Sequence, residues 1–171
     1  MNINWSKWSA IAEIISSVAI LVTLIYLSIQ THQNLLATQA NTRQTMITTD
    51  VETLKAAMEH QPALGKMSNN EKLSGDDKGI IEDWLIMLVR TREYQWFQYK
   101  NGLLDKQAWE AYLTGLSVNL SWPRTRAWWK LVAYQYFDHE FVDEVNKYLA
   151  DIPVDKNYTD PLTRVEISLE K

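Results

Sequence analysis

Residues 14–49 read IISSVAILVTLIYLSIQTHQNLLATQANTRQTMITT, and in this run of 36 residues Arg43 is the one formal charge. At a rise of ~1.5 Å per residue, a helix through all of it would extend about 54 Å. A bilayer's hydrocarbon core is ~30 Å thick. A single neutral helix of this length could therefore cross a membrane and continue beyond it. The two halves differ in kind. As far as Gln30 the side chains are mostly apolar; from Thr31 to Thr49 they are mostly Thr, Gln, Asn and Ala. The second half contains neither Pro nor Gly, so nothing in it forces a helix to stop.

Working outward, charge divides the 171-residue chain. Residues 1–50 hold Lys7, Arg43, Glu13 and Asp50, and the acidic surplus that gives the net charge of −4 lies entirely beyond them. This predicts a transmembrane anchor over 1–30, a polar helical continuation over 31–60, a helical soluble domain over 61–152 and a tail over 153–171. An acidic soluble part lacks the basic surface that non-specific nucleic-acid binding requires. The chain has no cysteine, which excludes disulfides, thiolate metal sites and thiol catalysis.

Ala10–Ile29 has the length and composition of a membrane-spanning helix, with Glu13 its only charge. A cleaved signal peptide would have a shorter apolar region ending in a small-x-small site; here the apolar run continues into Tyr26-Leu-Ser-Ile-Gln30. Trp5, Lys7 and Trp8 suit one membrane interface, and Tyr26 with His32 the other. The N-terminal flank carries Lys7 and the α-amine, the far flank Arg43 alone. That balance leans towards a cytoplasmic N-terminus in a bacterial inner membrane.

The helix is two-sided. Ile11, Ile15, Val18, Val22, Ile25 and Ile29 make a β-branched stripe suited to lipid. Ser9, Ala12, Ser16, Ala19, Thr23, Tyr26 and Gln30 make a second stripe, mostly small or polar. Small residues let helix backbones approach and hydroxyls bond across them, so this face is expected to meet another copy. The stripe continues through Gln33, Ala37, Ala40 and Gln44. Soluble helices usually carry Glu and Lys on their wet face, and this one does not. It would line an interface between copies, line a water-filled vestibule, or pack on the protein's own domain. Glu13 either snorkels to headgroups or, repeated around an oligomer, forms a carboxylate ring that selects cations.

Two sets of residues carry a resemblance. Trp8-Ser-Ala-Ile-Ala-Glu-Ile14, Leu24-Ile-Tyr-Leu-Ser-Ile-Gln30 and Asn34 resemble the start of an uncharacterised family of small bacterial proteins. Tyr99-Lys-Asn-Gly-Leu-Leu-Asp105 with Trp109, and Pro123-x-x-Arg126-x-Trp128-Trp129, look like later parts of the same family. The resemblance implies one N-terminal spanning helix followed by a helical domain. It implies no activity.

The remainder reads as all-α, a bundle of about five helices. Pro62 and the Gly65–Gly79 stretch read as a loop region. A strong helix follows Asp76-Asp77, whose charges suit its dipole, and ends at Asn101-Gly102. Asp105 caps the next helix, bearing Trp109, Tyr112 and Leu113. Ser121-Trp-Pro123 opens a helix that is apolar nearly all round and is expected in the middle of the bundle. Asp138 starts the last, with Phe141, Val142, Val145 and Leu149. Beyond Pro161, Val165, Ile167 and Leu169 alternate with Arg164, Glu166, Ser168 and Glu170. That period predicts a lone strand over 163–169 that pairs with the same segment of another copy, adds to a partner protein's sheet edge, or is disordered or loosely docked.

Candidate chemistry is sparse. Arg124 and Arg126 fall in a first helical turn, where cations are unfavourable. They are expected to pair with carboxylates of neighbouring helices or, with Lys130, to contact an anion such as a lipid headgroup. His32, His60 and His139 are scattered, and His139 with Asp143 supplies two ligands where a metal needs more. Glu93 is the best candidate for a buried carboxylate, paired with Arg90 or Arg92. There is no Gly-rich phosphate loop and no nucleophile elbow. No catalytic residues, cofactor or metal are expected. The expected function is a single-pass membrane-anchored scaffold that self-associates through its spanning helix, with a small homo-oligomeric cation channel as the alternative.

Overall fold

The computed structural model describes residues 5–154. Among these the fold is all-α, with six helices in the order α1 Trp5–Glu59, α2 Gln61–Ser68, α3 Gly75–Lys100, α4 Lys106–Leu120, α5 Pro123–Tyr136 and α6 His139–Leu149. The expected strand over 163–169, with Val165, Ile167 and Leu169, lies outside the described residues. The chain divides between Asn41 and Thr42 into two units, and α1 contributes to both.

In the first unit α1 is helical throughout its described length, with nearly every side chain from Trp8 to Asn41 exposed. Four of its hydroxyls are satisfied from within. Ser17, Thr23, Thr31 and Thr38 each donate to the carbonyl four residues back, at 2.8 Å. Ser and Thr within a helix commonly bond back in this way.

The second unit begins where α1 acquires a buried face. Thr42, Met46 and Thr53 are buried, and Met46 is among the most enclosed side chains in the chain. α3 lies centrally. It has the longest set of buried residues and packs against α2 and α4, while α4 also packs against α5 and α6. Each start is fixed by local chemistry. Ser74 and Asp77 form a reciprocal capping box at α3. Asp105 accepts from Ala108 N–H at α4, and Asp138 accepts from Glu140 and Phe141 N–H at α6. Asn101 ends α3, and Gly102 takes φ +73°, which a side chain would strain.

The core is aromatic. Phe141 lies against Trp96, Trp109 and Trp129 with centroids 5.9, 6.5 and 6.4 Å apart, and Trp129 stacks on Phe137 at 5.8 Å. The Trp129 indole N–H donates to Asn146 Oδ1 at 2.8 Å, so even this buried polar atom is paired.

Two expectations are corrected. The stretch read as loop from Pro62 onward contains α2. Pro62 stands in the first turn of α2, where its missing N–H has no partner to lose, and Gly65 is tolerated inside the helix. The loop proper is short. Nor is α5 central: Thr125, Trp129, Val132 and Ala133 are buried, yet Leu131 is 72% and Tyr134 51% exposed. Its apolar residues exceed the face the bundle covers.

Candidate functional site

Three places hold the residues with functional potential: the stripe along α1, the basic first turn of α5, and a cleft in the second unit.

Along α1, Ser9, Ala12, Glu13, Ser16, Ala19, Thr23, Gln30, Gln33 and Ala37 are all exposed. Among the described residues nothing covers this stripe. The helix carrying it is long and apolar enough to cross a membrane, the one such helix among the described residues, and none of its apolar window is buried.

In α5, Arg124 Nη1 donates to the Lys66 carbonyl, in the last turn of α2, at 3.2 Å and Nη2 to the Glu71 carbonyl, in the connection after α2, at 2.5 Å. Arg126 Nε donates to the Leu120 carbonyl at 2.6 Å and Nη2 to the Ile152 carbonyl at 3.3 Å. Two guanidiniums thus cap carbonyls in the last turns of α2 and α4, where helix dipoles favour a cation, and bind loop carbonyls after α2 and after α6. Burial lowers the Arg126 pKa from its usual value. The expected compensating carboxylates are replaced by main-chain oxygens. Lys130 is exposed on the same helix.

The cleft encloses about 790 Å³ between the end of α1 and helices α2, α3 and α4. Leu54, Met58, Leu64, Trp84 and Leu88 provide apolar wall, and Thr53, Asn119, Asp50 and Arg92 the polar groups. At its edge Arg92 Nη1 donates to Asp50 Oδ1 at 2.5 Å and to Gln95 Oε1 at 2.8 Å, while Gln95 Nε2 reaches Asp50 Oδ2 at 3.3 Å. Thr53 and Thr91 hydroxyls meet at 3.5 Å. Arg92 also lies 5.2 Å over the Tyr112 ring, whose pKa is raised by burial and then by Asp50. This pairing ties α1 to α3, and the sequence reading missed it. Its signal was Asp50 itself, a lone carboxylate in phase with Met46 and Thr53 on the side of α1 that the domain covers. Size and apolar walls fit a small-molecule cavity, but the ion pair is spent on structure.

The remaining polar candidates are structural as well. Buried Glu93 accepts from Arg90 Nη1 at 2.6 Å and from the Asp138 N–H at 2.6 Å, joining α3 to the start of α6. His139 and Asp143 do not meet: the His139 ring contacts the Tyr134 carbonyl at 3.1 Å, and Tyr134 donates to Asp143 at 2.6 Å, which raises the Tyr134 pKa. Among the described residues no group of three or more His, Cys, Asp or Glu is placed to hold a metal. Compared with family models, curated proteins and solved structures, the chain has no match.

Proposed function

We propose that this chain is a single-pass, membrane-anchored scaffold of the bacterial inner membrane, without enzymatic activity, that self-associates through α1 and presents its helical bundle to partners. The observation that carries the reading is the contrast along α1: apolar, uncharged and uncovered as far as Asn41, then seated in a bundle from Thr42 onward. An uncovered apolar helix is stable in lipid and not in water. The small-residue face supports contact between copies, because close backbone approach is how helices associate where burying apolar surface gains nothing. The bundle's polar groups support a binding role over a chemical one, since its buried charges are paired with each other or with main chain.

The test is membrane extraction combined with crosslinking. The full-length chain should stay in the membrane pellet at alkaline pH, and Ser16→Cys should give crosslinked species above the monomer. Release into the supernatant would end the anchor reading, and monomer alone the self-association. A cation current in planar bilayers that Glu13→Gln alters would replace the scaffold with a channel.

A further inference from the structure

The cleft between the end of α1 and helices α2, α3 and α4 lies wholly within the second unit. Its volume of about 790 Å³ falls in the range of small-molecule sites, ~300–1,000 Å³. Leu54, Met58, Leu64, Trp84 and Leu88 supply its apolar wall. Two further wall positions are glycines inside helices, Gly65 in α2 and Gly115 in α4. Glycine weakens a helix interior relative to alanine. Close packing does not call for it here, since a Cβ at either position would meet no neighbouring atom within 4 Å. Both residues border the cleft, so what the missing side chains spare is its room.

The polar groups of the wall define the occupant. Asp50 and Arg92 are the charged residues among those lining the cleft, and they pair with each other. Thr53, Ser68 and Asn119 each donate to a carbonyl of their own helix. A charged or multiply polar ligand would shed water and find these partners taken. What the wall lacks is an acceptor. The Trp84 indole N–H and the Arg92 Nε–H are buried without a hydrogen-bond partner among the described residues, and buried donors in that state are uncommon.

We propose that this cleft binds a free, uncharged small molecule with an apolar body and one carbonyl-type acceptor. The site does not depend on how α1 meets a membrane or another copy, because every lining residue falls between Asp50 and Trp122. Binding would remove apolar wall from water, which is the driving force, and a flexible methionine at the wall, Met58, suits occupants of differing outline.

Benzophenone is a probe of this chemistry: neutral, mostly apolar, with one ketone, and able on irradiation to insert into neighbouring C–H bonds. The full chain in phosphatidylcholine vesicles is irradiated with it, and adducts are located by mass spectrometry. Leu54 and Leu131 are the same residue type and are 63 and 72% exposed, so exposure alone would label them alike. Leu54 should instead be labelled at least tenfold more than Leu131, and saturably. Benzoylbenzoate, the same body with a carboxylate, should label Leu54 at least tenfold less. Gly65→Leu and Gly115→Leu should each lower labelling at Leu54 severalfold, with labelling at Leu131 and circular dichroism unchanged. Trp84→Phe, which keeps a ring and removes the N–H, should lower it as well. Equal labelling of Leu54 and Leu131, or full labelling of Leu54 in a folded glycine variant, would overturn the site. Equal labelling by the carboxylate would overturn the uncharged occupant, and full labelling in Trp84→Phe the acceptor. Loss of labelling at Leu54 as lipid is added at constant free probe would mean that a bilayer acyl chain fills the cleft, and would overturn the free molecule.

Discussion

The two units of this molecule are both helical, and they are held in that state by different things. Up to Asn41 the helix relies on its own hydrogen bonds, including hydroxyls folded back onto carbonyls, and its described side chains are almost all exposed. From Thr42 onward, stability comes from burial: a cluster of Trp96, Trp109, Trp129, Phe137 and Phe141, with ion pairs at its margins. In hydrocarbon a helix would persist because its backbone groups can bond only to one another. A short helix in water does not persist without tertiary packing. One element, α1, contributes to both units, and the change is visible where Thr42 and Met46 become buried.

The comparison breaks if a core change and a change in α1 before Asn41 behave alike. Trp129→Ala should have the largest effect. The residue is 1% exposed, stacked on Phe137 and bonded to Asn146. Its removal should cost about 3–5 kcal/mol, read as a lower denaturant midpoint in tryptophan emission. Leu24→Ala, exposed in the chain, should leave that midpoint within about 0.5 kcal/mol. The join between regimes is tested next. Arg92→Ala removes the donor that holds Asp50 at 2.5 Å. With side chains 14 and 22% exposed, the loss should be about 2 kcal/mol, less than for a fully buried pair. Asp50→Asn with Arg92→Ala should recover part of it in a double-mutant cycle.

The smallest effect is a pH dependence confined to the second unit. The Ser74 N–H and then Lys66, at 2.9 Å, hold the Asp77 carboxyl down to about 2. A carboxylate whose pKa is lower folded than unfolded stabilises the fold above the unfolded value and loses that contribution as pH falls through the folded one. The unfolding midpoint should therefore decline from about pH 4 towards pH 2, and Asp77→Asn should flatten that part of the decline. An identical slope in the variant would remove Asp77 from the account.

Much of this architecture was legible in the sequence, for local reasons. The caps at Asp105 and Asp138 and the turn at Asn101-Gly102 obey rules that need only neighbouring residues. So does the neutral run that marks α1. What escaped depends on distance. Pro62 and Gly65 look like loop residues until α2 is seen to start on one and carry the other. Leu131 and Tyr134 look like core until α5 proves to lie at the bundle's edge. Arg124 and Arg126 announced an unmet need for negative charge, but carbonyls brought from Glu71 and Ile152 were invisible along the chain. Glu93 was found with Arg90, three residues away; Asp50 was missed because Arg92 is 42 residues away.

The hydroxyls of Ser17, Thr23 and Thr31 are each already given to a carbonyl one turn back. An idle donor in apolar surroundings costs free energy until it finds a partner. These three have theirs within the helix, so in hydrocarbon they would make no demand on a neighbour, and any contact formed there would have to be driven by packing.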